Sequence, residues 1–155
     1  MDYKQKFMKL AIKEAEKALA KDEVPIGAVI VVGGKVVARA HNLMEKTQIA
    51  TAHAEILAIN KACKKLKSWR LDGCELYCTL EPCFMCSGAI LNARIKTLYF
   101  GAYEQKSGSA SSKFNLFEDT GHNHKCEVIG GIMEQDCKKL MQDFFANLRI
   151  KDKNK

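Results

Sequence analysis

The sequence predicts an α/β protein whose central sheet carries helices on both faces. Three observations support this reading. Helical and strand-like periodicities alternate along the whole chain. The order is α-β-β-α-β-α-β-β-α, which calls for an antiparallel first hairpin and parallel pairing where helices cross over. The longest apolar run, IGAVIVV at residues 26–32, suits a buried strand and is too short for a membrane helix.

Each element has its own signal. From Asp2 to Lys21, residues Phe7, Leu10, Ala11, Ala15, Ala18 and Leu19 recur at helical spacing, with lysines opposite. Val24-Pro25 ends that helix. Ile26–Val32 and Lys35–His41 are β-rich and joined by Gly33-Gly34, a two-residue hairpin signal. A polar loop follows, then a helix from Ala52 to Leu66 with Thr51 placed as its N-cap. Glu75–Leu80 reads as a strand. Pro82 opens a third helix, reaching about Arg94, because proline is tolerated where a first-turn N–H has no partner. Thr97–Ala102 is the next strand, followed by the Ser/Gly loop YEQKSGSASSKF. Cys126–Ile132 is a last short strand of open pairing direction, and Glu134 to about Ile150 a closing helix. The chain thus reads as one domain over residues 1–150 with a basic tail, KDKNK, at 151–155.

Composition narrows the function. The 155 residues are 47% hydrophobic and 28% charged, an ordinary globular balance. No apolar signal core follows Met1, and no run is long enough to cross a membrane, so a cytoplasmic location is expected. Seven cysteines without a secretion signal argue for thiols, buried small hydrophobes or metal ligands rather than a disulfide framework. The net charge of +7 favours a polyanionic partner.

The chemistry concentrates in two stretches, TAHAEI and TLEPCFMC. Cys83 and Cys86 lie three apart at a helix start, where the helix dipole favours the thiolates that bind metal. His53 lies at the start of the preceding helix. In an α/β sheet such starts gather at the carboxyl edge of the strands, so His53, Cys83 and Cys86 together offer three protein ligands. Three ligands with two thiolates leave a fourth position open, the arrangement of a catalytic zinc rather than a structural one. Glu55 lies two residues from His53, so the two side chains cannot grip one metal beside the helix. They can converge beyond its end, where an unliganded carboxylate is placed to move protons. A redox cysteine pair is the rival reading of C-x-x-C alone, and the upstream H-A-E weighs against it.

H-x-E followed by P-C-x-x-C is the signature of the zinc-dependent nucleoside and nucleobase deaminases. Within them the chain resembles the bacterial tRNA-specific adenosine deaminases over nearly its whole length, in EVPIGAVIV, AHN, TAHAEILAI, SWRLDGCELYCTLEPCFMCSGAI, FGAYEQKSGS, NHKCEVIGGI and DFFANLR. The resemblance implies a cytidine-deaminase-like three-layer α/β/α fold around a five-stranded mixed sheet. It implies one zinc per subunit, a homodimer, and a tRNA anticodon stem-loop as substrate, with no membrane partner. A zinc-activated water would attack C6 of the flipped wobble adenine, with Glu55 as proton shuttle and inosine as product. Asn42 would hydrogen-bond the flipped nucleotide, and Ile26 and Ala54 would be substrate-binding residues with it. Glu104, Lys106, Ser107, Phe145 and Arg149 are the candidate RNA contacts, Phe145 and Arg149 lying four apart on one helical face. Position 104 holds glutamate where the family usually has aspartate. The alternative reading is a free nucleobase or nucleoside deaminase, such as a guanine deaminase, with the same zinc machinery. A non-catalytic zinc module that binds RNA is the third, and Glu55 counts against it. Cys63, Cys74, Cys78, Cys126 and Cys137 are expected to be buried small hydrophobes.

Overall fold

Strand order in the sheet is β2-β1-β3-β4-β5, five strands in all. The computed structural model describes residues 2–118 and 121–154, so the last residue of the expected tail lies outside the described residues. Helix α1 (Tyr3–Ala20) is capped by Asp2, whose carboxylate accepts the N–H of Gln5. Strands β1 (Gly27–Val32) and β2 (Lys35–His41) pair antiparallel through Gly33 and Gly34, both with positive φ. That backbone is what a two-residue turn demands and what glycine alone adopts freely.

A four-residue helix, α2 (Met44–Thr47), stands in the segment expected to be a plain polar loop. Its first amides are held by Glu23, which is fully buried and accepts from Glu45 N (3.0 Å) and Lys46 N (2.7 Å). A partner twenty residues upstream leaves no local trace in the sequence. Then follow α3 (Ala54–Leu66), β3 (Glu75–Leu80), α4 (Phe84–Asn92), β4 (Thr97–Ala102), β5 (Glu127–Ile129) and α5 (Glu134–Lys153).

Pairing is antiparallel for β1–β3 and parallel for β3–β4 and β4–β5, which settles the direction of the last strand. That strand covers three residues rather than seven, and α5 runs three residues past Ile150. The third helix is shorter than expected at both ends. Cys83 is its N-cap, and Arg94, past its end, takes a positive φ of 65°.

Strand alternation splits the core into two layers. Ala28, Ile30, Leu76, Cys78, Leu98 and Phe100 pack with Ala54, Ala58, Ala62 and Ile90 of α3 and α4. Val29, Val31, Tyr77 and Tyr99 face the other way, onto Phe7, Met8 and Ala11 of α1 and Cys137 of α5. Alanines at positions 54, 58 and 62 let α3 lie close on the sheet. The result is the expected three-layer α/β/α sandwich. Among the described residues no helix is long and apolar enough to cross a membrane.

Candidate functional site

Two helix starts and three strand ends meet at one edge of the sheet. β3 runs into Glu81-Pro82-Cys83 and α4, while β1 begins and β2 ends beside it, with Gly27 opposite His41 and Ala28 opposite Cys78. Asn42, just past β2, donates its N–H to Ile26 O at 3.0 Å. This is the carboxyl end of β3 and β4, where open α/β sheets form their sites.

His53, Cys83 and Cys86 come together there, their ligand atoms all within 4.8 Å of one another. His53 Nδ1 lies 3.8 Å from Cys83 Sγ and 3.5 Å from Cys86 Sγ. Neither His53 nor Cys83 sits in a first helical turn as expected; each is the N-cap of its helix, with extended backbone and no capping hydrogen bond from its side chain. Thr51 is therefore not the cap of α3. The side chains that could cap are instead turned toward each other.

Hydrogen bonding from Cys86, and then from His53, brings the Cys83 thiol down to about 4 despite its burial. Cys86 is pushed up in turn, first by the bond it donates to Cys83 and then by burial. The hydrogen bond to Cys83 raises His53 above its ordinary 6.5. A thiolate, a second thiol and an imidazole nitrogen form a donor set that suits a thiophilic dication with one position left open.

Glu55 is 4% exposed. Its Oε1 has no hydrogen-bond partner among the described residues. Burial raises it above the ordinary carboxylate value, while His53 opposes that rise. A buried carboxylate oxygen with nothing to accept from is costly unless a cation or a ligand satisfies it. The donor set and this orphaned oxygen together fit a metal held by the triad with Glu55 beside it.

Val24, Ile26, Asn42, Met44, His53 and Ala54 enclose a small pocket of about 170 Å³ against the cluster. Asn42 is 5% exposed; its Oδ1 accepts from Met44 N at 3.2 Å, and Nδ2 donates to Val24 O at 3.4 Å. Three of the expected contact residues, Ile26, Asn42 and Ala54, therefore share one wall.

A second groove, about 470 Å³, opens between the end of β4 and α5. Glu104, Lys106, Phe145 and Arg149 line it together, joined by Tyr103 and Lys138, which sequence reasoning did not name. Phe145 is 41% exposed, whereas Phe144 is partly covered and lines a different cavity with Leu19. Ser107 is exposed in the turn and lines neither cavity.

The other cysteines keep their expected burial, except Cys63, which is only partly covered and directs its thiol at Trp69 O. His41 Nδ1 pairs with Glu14 Oε1 at 3.0 Å. His124 Nε2 meets Ile95 O at 2.8 Å.

A two-cysteine, one-histidine cluster at the carboxyl edge of a mixed sheet defines a deaminase-type centre, and a family model of the MafB19-like deaminases matches residues 1–149. The tRNA-specific adenosine deaminase of Bacillus subtilis is 50% identical over 147 residues, which are 95% of this chain and 91% of the relative. A solved tRNA:A34 deaminase that edits A to I superposes with a TM-score of 0.84 at 44% identity, covering 87% of this chain and 98% of that one. A guanine deaminase from Bacillus subtilis gives 0.63 at 42% identity, covering 66% of each chain. The chain belongs to the family of tRNA-specific adenosine deaminases.

Proposed function

We propose that the protein hydrolyses adenosine to inosine and ammonia at the wobble position of a tRNA anticodon. The observation that carries this is the orphaned, buried Glu55 carboxylate beside the His53–Cys83–Cys86 cluster, whose His53 lines a pocket of single-base size. About 170 Å³ is well below the roughly 300–1,000 Å³ of drug-sized pockets. It suits one extruded base rather than a whole stem-loop.

His53, Cys83 and Cys86 would hold zinc, which supplies the Lewis acid that makes water nucleophilic near neutral pH. Glu55 takes a proton from the water that attacks C6 of the adenine. It delivers that proton to the adjacent ring nitrogen, N1, and then moves a second one to the departing amine. Burial keeps bulk water from competing as proton acceptor and strengthens each interaction of the carboxylate. Asn42, Ile26 and Ala54 orient the base against this machinery.

The wider groove supports the RNA assignment. Lys106, Lys138 and Arg149 offer cations to phosphates, while Tyr103 and Phe145 offer faces on which splayed bases stack. By family resemblance, the protein is also proposed to act in the cytoplasm as a homodimer, each chain a single catalytic domain over residues 1–150. Exposed Trp69, at 60%, is a candidate for burial on association, which sedimentation would read.

The deciding experiment gives the zinc-loaded protein an anticodon stem-loop with adenosine at the wobble position, and in parallel guanine, adenosine and cytidine. Inosine in the stem-loop alone is the expected result. Turnover of free guanine without RNA editing would move the substrate to the small-molecule branch and leave the metal and Glu55 where they are.

A further inference from the structure

The Ser/Gly loop after β4 is wrapped around a single buried carboxylate. Glu81 is 2% exposed and joins β3 to the Pro82-Cys83 turn. Its Oε1 accepts from Glu104 N at 3.0 Å and from the Ser112 hydroxyl. Its Oε2 accepts from Ala110 N (3.1 Å), Ser111 N (2.8 Å) and Ser112 N (2.9 Å). Five donors from one loop converge on one side chain.

A second fastener lies beside it. Ser109 is fully buried, with both its N–H and its hydroxyl 3.0 Å from Pro82 O, and its oxygen is 2.7 Å from Ser87 Oγ in α4. Space is tight on the loop side as well. A Cβ at Gly108 would meet Glu104 O and come within 2.5 Å of Glu81 Cδ. Ala110 joins the apolar core and Phe114 packs on Phe84, and between these anchors and the end of β4 the loop is held by the polar contacts of Glu81 and Ser109.

The same loop carries part of the groove. Glu104 accepts the N–H of Lys106 at 3.0 Å, and both side chains line the groove opposite Phe145 and Arg149. We propose that Glu81 is a positioning residue for RNA binding: it fixes residues 104–112 so that Glu104 and Lys106 face the groove. Because Glu81 is two residues from Cys83, the groove loop and the metal-holding turn then move as one body. This rests on the reading of the groove as the RNA site.

The test compares wild type, Glu81→Gln and Gly108→Ala, each loaded with zinc, on the anticodon stem-loop. The glutamine keeps the size but sets an NH₂ group among N–H donors. The alanine crowds the same contact from the loop side and leaves the carboxylate in place, so it decides the matter if the first variant does not fold. The expected result is a KM raised at least tenfold, equivalent to about 1.4 kcal/mol. The kcat stays within threefold and one zinc per chain is retained. Faster amide exchange across residues 104–112 accompanies it. A KM within twofold of wild type in an active, folded variant overturns the proposal, even if the loop amides exchange faster. So does loss of kcat together with zinc, which would make Glu81 a brace for the metal turn alone. A wild-type protein inactive on the stem-loop overturns the substrate reading and this one with it. Active wild type with unmoved variants sinks this one by itself.

Discussion

Replacing Glu55 by glutamine separates proton transfer from structure, because the two roles predict effects of opposite sign. The side chain keeps its shape and loses its charge. Each positioned proton transfer contributes typically about 10²–10⁴-fold. Glu55 is asked to make two of them on one reaction path, so kcat should fall by at least ~10³-fold. KM should stay within a few-fold, since base and RNA contacts come from other residues. Stability should move the other way when zinc has been stripped. A carboxylate 4% exposed, with an oxygen that has no partner among the described residues, opposes folding, and an amide there is less costly. A gain of about 1 kcal/mol in a 155-residue chain raises Tm by roughly 2–4 °C. The assays are inosine formation on the stem-loop under saturating substrate, bound zinc by atomic absorption, and thermal unfolding after chelation. A variant that keeps its zinc and works within tenfold of wild type would refute the proton-shuttle argument.

The other expectations concern the supports of the site. Glu14, on the buried face of α1, accepts from His41 Nδ1 (3.0 Å) and Lys17 Nζ (2.6 Å). Burial pushes it up, but those bonds outweigh burial and hold it below the ordinary 4.5. Its stabilisation is therefore present above pH 4.5 and lost as pH falls through the lower folded value. Glu14→Gln should cost about 1–2 kcal/mol near pH 7, with the difference from wild type shrinking below pH 4.5 in urea titrations. Glu23→Ala removes the buried carboxylate that accepts from two partly covered α2 amides, so a loss of about 1–3 kcal/mol is expected, read by thermal unfolding. An unchanged Tm would mean that α2 does not need the cap. Arg149→Ala should raise KM for the stem-loop and reduce the salt slope of binding by about one, with kcat unaffected.

How much of this was legible depended on the distance over which each signal acts. The four longer strand runs and the first helix carry their own periodicity, and the structure gives β2, β3 and β4 with the bounds read from sequence. The clustering of His53, Cys83 and Cys86 was legible for the same reason: H-A-E and P-C-x-x-C are short-range patterns. What failed was set by partners remote in sequence. α2 exists because Glu23 satisfies its amides, and the Ser/Gly loop has a defined shape because Glu81 collects its N–H groups. A carboxylate at the end of an apolar strand, just before Pro-Cys, was the one available hint of that role.

The observed helix starts show why local rules began both helices two residues early. An N-cap side chain ordinarily accepts an orphan N–H and stabilises its helix by about 1 kcal/mol. His53 and Cys83 occupy those positions and make no such bond, while Thr51, the better capping residue, stands two places too early. Propensity therefore points to Thr51, and chemistry takes the next available geometry. A cap residue has extended backbone, so its side chain leaves along the helix axis instead of sideways. That direction lets groups from α3 and α4 meet in front of both helices. Placed inside their first turns, His53 and Cys83 would have projected from the sides of two separate helices. The forgone caps are thus the geometric condition for the three-residue cluster at the sheet edge, and a dication bound there would return to the fold what the missing caps withhold.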